Sequence, residues 1–311
     1  MNKILNKYIC LTLTLALACV SAPVYADGGK SQKTTLNMKS RFNSAPLAAI
    51  PFKELNSPVI PRGLPRGDFI NEEEQEALFK DVLAETDTPL LNNMNMPNRR
   101  NNIILACGAI NETVVMPGCI FSFNQTVGKR TEERGYKSAP AYINGRVAES
   151  VGGGICQVAS TLYYACLLSN FEIVERAYHS MTADYTEKPG VDATVYWGAI
   201  DYKFKNNTNS PVKIFAWVEN ITVCVKIMGV KTDNNTVFIE SNTLSSTPFN
   251  TVYRENPNLA PGQTRVVQEP FTGSVVETYR VILDENGKVI SRAFEAKSIY
   301  KKLDMIIERG L

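Results

Sequence analysis

The chain has 311 residues, 44% of them hydrophobic and 21% charged, a balance that supports a substantial core and excludes a disordered or low-complexity chain. Its formal net charge of +2, with no basic run and no interleaving of aromatic and basic residues, gives no electrostatic basis for binding nucleic acid. The length allows roughly two domains with extra segments.

Residues 1–26 read as an export signal. Lys3 and Lys7 make a basic start, Tyr8 to Val20 is an apolar run too short to span a bilayer comfortably, and Val24 and Ala26 form a small-residue cleavage site. The mature chain is then expected to begin near Asp27. An uncleaved signal would instead act as a membrane anchor. Export also bears on the cysteines. Without Cys10 and Cys19 the remainder is Cys107, Cys119, Cys156, Cys166 and Cys224, an odd set that leaves at least one thiol unpaired in an oxidising compartment. The other four could form two disulfides or none.

Residues 27–70 are rich in Ser, Asn, Pro and Lys without periodicity, as in a tether. The stretch NEEEQEALFKDVLAET from Asn71 predicts a helix with Asn71 as cap and Glu72 to Glu74 at its positive end. A Pro/Asn-rich break follows over Asp87 to Pro97. The next predicted helix covers Arg99 to Thr113, with Ile103, Ile104, Cys107 and Ile110 toward a core. MPGCIFSFN then predicts a turn and a short strand that places Phe121 and Phe123 on one face. Val127 to Tyr136 reads as a charged surface loop. Within it Arg130 is either an ordinary surface arginine or the partner of a substrate carboxylate.

The chemistry concentrates in GGGICQVASTLY, Gly152 to Tyr163. Ile155, Ala159, Leu162 and Cys166 recur at helical spacing, so a helix is expected to start near Cys156. Unpaired N–H groups and partial positive charge at a helix start favour thiolate over thiol. Gly152, Gly153 and Gly154 would let backbone N–H groups approach a substrate, as an oxyanion hole requires. A nucleophilic cysteine needs a base, and the only histidine in the chain, His179, lies 23 residues downstream in AYHS. That distance suffices for a helix, a turn and a returning strand. Cys156 and His179 form the candidate dyad, and Asp192 or Asp201 could orient the imidazole, although the ordinary role of an Asp in such a place is to form a turn. One histidine and no Cys-x-x-Cys pair give no basis for a metal site, and no cofactor is implied.

Beyond the Cys156 helix, Phe171 to Tyr178 predicts a strand delivering His179. GVDATVYWG, DYKFKN, PVKIFAWVEN and ENITVCVKIMG are short β-rich runs with Gly, Asn and Pro punctuation. From residue 238 onward the pattern is all-β, with a hairpin turn at ENGK (285–288) between SVVETYRVILD and VISRAFEAKSIY. This unit has no His or Cys, so it is expected to bind or position and not to react.

Taken together, MPGCIFSFNQTVGKRTEERGY, GGGICQVASTLY, the His179-Ser180 pair with Tyr185 behind it, and DATVYWG followed by Asp201 resemble the VanW family. The C-terminal stretches TPFNTVYRENPNLAPGQTRVVQE and TYRVILDENGKVISR are similar to the G-five module, a small all-β domain common on exported bacterial wall proteins. The expected fold class is α+β: a mixed helix and sheet VanW-type domain over 96–228 and a small elongated all-β domain over 229–311, preceded by a tether and helix over 27–95. The resemblance implies a secreted, wall-associated protein acting on peptidoglycan stem peptides as an L,D-transpeptidase-type cysteine acyltransferase. Gln157, Ser160 and Ser180 would support the site, and Tyr185, with Arg130, would bind substrate. The alternatives are a non-catalytic wall-binding or antibiotic-resistance accessory protein, and a cysteine wall peptidase using the same dyad.

Overall fold

The computed structural model of the chain describes residues 76–90, 96–143 and 146–311. The export signal, the tether and the Asn71 cap lie outside the described residues. The elements are β1 (Asp81–Pro89), α1 (Pro97–Ile110), β2 (Thr113–Val115), β3 (Ile120–Ser122), α2 (Phe123–Val127), a hairpin of β4 (Ser138–Ile143) and β5 (Arg146–Val151), α3 (Ile155–Leu168), β6 (Glu172–Glu175), β7 (Lys203–Lys205), β8 (Val212–Glu219) and β9 (Thr222–Gly229). An all-β region follows, from β10 (Thr236–Thr247) through β11 (Thr251–Glu255), β12 (Thr264–Gln268), β13 (Gly273–Leu283) and β14 (Val289–Tyr300) to β15 (Met305–Arg309). The architecture is α+β. Among the described residues, no helix is long and apolar enough to cross a membrane.

The central helix α3 is apolar almost all round, as a helix must be when every face is covered. Val158, Ala159, Leu162, Tyr163, Ala165, Cys166 and Leu167 are all buried. One side packs on an antiparallel sheet ordered β1-β9-β8-β2, against β1 and β9, while α1 lies against β8 and the helix itself. In β8 and β9 buried residues alternate with partly exposed ones, the signature of a sheet with one face on the core. A second sheet, β3-β7-β6, closes the core with a row of stacked rings. Phe204 lies 5.2 Å from Phe121 and 5.3 Å from Phe171, centroid to centroid.

The all-β region is built on two three-stranded sheets. β10-β13-β14 is a long antiparallel ribbon, and β11-β15-β12 pairs β11 parallel and β12 antiparallel to the central β15. The turn at residues 285–288 connects β13 to β14, with Gly287 at φ 79°. The ribbon is not remote from the first core, because β10 contacts α3 and Ile239 is buried within the same apolar cluster.

Three local expectations fail. The helix predicted across NEEEQEALFKDVLAET covers only 76–78 of its described part, and Asp81–Pro89 is a strand paired with β9. Ala84, Thr86 and Thr88 are buried at every second position, a period of two that outweighs the helix propensity of Leu, Ala and Glu. The helix predicted over Arg99 to Thr113 ends at Ile110. Ile104 is 46% exposed on it, its place in the core being taken by Ala106. Phe121 and Phe123 do not share a strand face, because Ser122 caps a new helix by accepting a hydrogen bond from the Gln125 N–H at 3.1 Å.

Phe204 is fully buried between two rings. Phe204→Ala should lower unfolding stability by about 3–5 kcal/mol, the usual cost of an aromatic cavity, measured by urea denaturation at constant m-value.

Candidate active site

The chain enters α3 through three glycines, each with its own geometric reason. Gly152 and Gly154 have φ of 86° and 103°, where a side chain would be strained. At Gly153 a Cβ would sit 2.3 Å from the carbonyl oxygen of Ala139, so the close approach made possible here is to the β4 backbone. The N–H groups of Gly152 and Gly153 donate to Lys137 O at 3.1 Å and Ser150 O at 3.0 Å. Neither points into open space as an oxyanion donor would. The first turn of α3, carrying the N–H of Cys156, is what the glycine run presents.

That first turn is pinned from below. The buried Gln157 amide accepts from Arg99 Nη2 at 2.9 Å and donates to Thr88 Oγ1 at 3.0 Å and Pro89 O at 2.9 Å. Thr86 and Thr88 of β1 bond Thr161 one turn later, at 3.0 and 2.8 Å. The Ser160 hydroxyl accepts from Ala193 N at 2.9 Å and shares its one proton between Cys156 O at 2.8 Å and Ala193 O at 3.0 Å, so the loop carrying residues 192–195 is fastened to the helix.

This loop encloses the sulfur. The Val195 N–H points at Cys156 Sγ from 3.4 Å, and Thr194 Oγ1 lies 3.5 Å away. On another side stands His179. Its main-chain N–H and its Nδ1–H both donate to Asp192 Oδ2, at 2.7 and 2.6 Å. With Nδ1 engaged by a carboxylate, Nε2 is the nitrogen left for the sulfur. Burial pushes the Cys156 thiol up. The hydrogen bond and charge of His179, with the Val195 N–H and the Thr194 hydroxyl, outweigh it and bring the pKa down from 9.0 to about 7. For His179, burial pulls the pKa down, but Asp192 and the sulfur together raise it well above 6.5. Burial likewise works against ionised Asp192, but His179 and Arg176 hold its pKa down at about 2. The three groups describe a thiol that ionises near neutral pH beside an imidazolium backed by a carboxylate.

Asp192 and Asp201, equivalent in the sequence, are placed differently. Asp201 accepts from the Ser122 hydroxyl at 2.6 Å and from the N–H groups of Asn124 and Tyr202 at 2.8 Å each. It holds the start of α2 and does not touch the imidazole, so the orienting role considered for it is corrected to a structural one. Tyr185 lies beside the dyad, its hydroxyl 3.3 Å from Ser160 Oγ and its ring 6.4 Å from that of His179. Ser180 participates through its carbonyl, which accepts from Lys301 N at 2.7 Å. Arg130 is no ordinary surface arginine. It packs over Phe123 at 5.7 Å, donates to Asn124 Oδ1 at 2.7 Å, and has Nε and Nη2 enclosed without a hydrogen-bond partner.

Sequence reasoning did not single out Thr194 and Val195, whose residues were read only as part of a strand. It also missed Arg176, Ser298 and Tyr300. Arg176 lies between the rings of Tyr163 and Tyr178, at 5.2 and 5.5 Å, and Nη2 donates to Asp192 Oδ1 at 3.0 Å. A cation three residues before the lone histidine was the only signal available. All five described cysteines are free, so none of them is bridged to Cys156.

Comparison with known proteins finds two matching families. Residues 98–228 match the family model described as VanW like protein, and residues 240–311 match that of the G5 domain. The chain therefore carries a VanW-like domain and a G5 domain, in that order. It is 48% identical over 124 residues to "Uncharacterized protein YoaR" of Bacillus subtilis (strain 168), covering 40% of this chain and 41% of that protein. It is 28% identical over 160 residues to "Vancomycin B-type resistance protein VanW" of Enterococcus faecalis (strain ATCC 700802 / V583), covering 48% of this chain and 58% of the relative. In both cases the chain spans less than two thirds of the relative's length. Among solved structures, that of an IgA1 protease G5 domain is 28% identical, with 26% of this chain and 98% of that chain covered and a TM-score of 0.17.

Alkylation of Cys156 by iodoacetamide should rise with pH through a midpoint of about 7, below the ordinary 9.0, because thiolate is the reacting form. His179→Ala removes the hydrogen bond and charge of the imidazole, the main groups that oppose burial, while the Val195 N–H and the Thr194 hydroxyl remain, so the midpoint should move upward from about 7. Peptide mapping separates Cys156 from the exposed Cys119.

Proposed function

We propose that this chain, with its VanW-like domain followed by a G5 domain, is an exported cell-wall protein that transfers peptidoglycan stem-peptide acyl groups through a Cys156 thioester. The observation that carries the reading is the connected set Cys156, His179 and Asp192, with the sulfur at the first turn of a buried helix. A relative named for vancomycin B-type resistance supports a setting in the wall, as does the export pattern of residues 1–26.

In the first half-reaction the Cys156 thiolate attacks the carbonyl of the third stem residue, a diamino acid, and an S–C bond forms. The oxyanion that develops faces the helix start, where the Cys156 N–H and the positive end of the helix favour it. The C–N bond to the terminal D-alanine then breaks. His179, as imidazolium, gives its Nε2 proton to the departing amine and is left neutral. In the second half-reaction the side-chain amine of a neighbouring stem attacks the thioester. His179 takes the proton lost by that amine, the S–C bond breaks, and the thiolate–imidazolium pair is restored beside a new amide. Water in place of the amine would give a trimmed tripeptide.

The test incubates the export-trimmed chain with defined tetrapeptide muropeptides and separates the products by mass. Cross-linked dimers, with a covalent adduct on Cys156 after rapid quench, are expected. Cys156→Ala should lose at least a thousand-fold in rate while retaining its far-UV spectrum. Tripeptides without dimers would assign a carboxypeptidase, and full activity of folded Cys156→Ala would reject a covalent role.

A further inference from the structure

The acid of the triad is held by groups from both domains. Tyr300, the last residue of β14, donates its hydroxyl to Asp192 Oδ1, the oxygen that also accepts from Arg176. The same hydroxyl accepts from Gly190 N at 2.8 Å, which fixes the loop two residues before Asp192. Ser298, on the same strand, accepts from Arg176 Nη1 at 2.9 Å. Lys301 N donates to Ser180 O immediately after His179. Gly190 fits closely against the ribbon, where a Cβ would meet Thr278 Cγ2 at 2.5 Å. Arg176 is completed by the carbonyls of Gly190 and Asp192, at 3.1 and 2.7 Å.

We infer that the C-terminal β domain is part of the catalytic centre, with Tyr300 and Ser298 as positioning residues that hold Asp192 Oδ1 and Arg176 so that Oδ2 stays turned toward His179. The inference rests on the dyad reading above. Two donors on Oδ1 leave the other oxygen to the two N–H groups of His179 and stop the carboxylate from rotating about its bond to Cβ. Two hydroxyls reaching from one strand into this network are more than an adventitious packing contact between domains requires. A domain that served only to bind the wall would need neither.

The groups facing Asp192 set the sign of the pH effect. Arg176 and His179 face it from the strand-and-loop side, with Cys156 beyond the imidazole, and Tyr300 faces it from β14. Tyr163 of α3 lies under Arg176, with the Arg280–Glu295 pair of the ribbon in electrostatic reach of it. Removal of the Tyr300 hydroxyl leaves Oδ1 with one side-chain donor and lets the carboxylate turn, so that Oδ2 is no longer held against the two N–H groups of His179; the misaligned imidazolium then stabilises the thiolate less.

The experiment compares full-length wild type, Tyr300→Phe and Ser298→Ala, with Phe294→Ala as a control exposed on the same strand. The first readout is the pH profile of Cys156 alkylation, which needs no muropeptide and so stands even if the proposed transfer reaction fails. Tyr300→Phe should move the midpoint upward and slow alkylation at pH 7 by roughly three- to ten-fold. On any muropeptide that turns over, kcat should fall roughly ten-fold with KM little changed. Ser298→Ala should shift the same way by less, with Ser298→Thr restoring the wild-type profile, and Phe294→Ala should have no effect. An unchanged or lowered midpoint in folded Tyr300→Phe overturns the inference. If that variant does not fold, the Ser298→Ala and Ser298→Thr pair decides by the same criterion.

Discussion

The site depends on one buried carboxylate. Asp192 is 1% exposed, and an isolated carboxylate in such a place would take up a proton. It remains ionised because donors grip both oxygens: His179 twice on Oδ2, Arg176 and Tyr300 on Oδ1. From this follow the tautomer of the imidazole, the nitrogen offered to the sulfur and the sulfur's own charge. When Cys156 is ionised, it and Asp192 balance Arg176 and the imidazolium, and the cluster as a whole is then neutral. A neutral set of charges, each with a hydrogen-bond partner, is the form in which ionised groups tolerate burial.

The Cys156 sulfur is fixed by a different means. α3 supplies rigidity through its apolar packing, and its polar residues serve as fasteners. Gln157 ties the first turn to β1, Thr161 ties the second, and Ser160 ties the loop of residues 192–195 to the helix. That loop brings the Val195 N–H to the sulfur. A site held on a helix and cross-braced in this way keeps its geometry better than one carried on loops alone. The glycine run belongs to the same system, since it brings the chain against β4 and into the helix at an angle that side chains would forbid.

The parts of the site legible in the sequence are those with a local signature. A helix start after glycines marks Cys156, and a solitary histidine needs no disambiguation. Asp192 and Asp201 were indistinguishable because each sits beside short β-rich runs, and only the fold decides which faces the imidazole. Asp201 is claimed by Ser122 and two main-chain N–H groups. The β1 error was of another kind. Leu83, Ala84 and Glu85 favour a helix locally, but Ala84, Thr86 and Thr88 at every second position fit a sheet packed on α3, and pairing with β9 prevails. That alternation was readable, and the run of glutamates before it concealed it.

Tyr300 was beyond such reading. Its contact with Asp192 spans 108 residues and crosses the gap between the two matched families, where sequence comparison draws a boundary. The absence of His and Cys from the C-terminal region says nothing about which part of the chain positions other groups. A boundary in sequence is a statement about descent, whereas hydrogen bonds follow surface. Here β10 lies against α3, Ile239 joins the first core, and Tyr300 of β14 reaches Asp192, so the second domain is packed into the first beside His179 and Cys156.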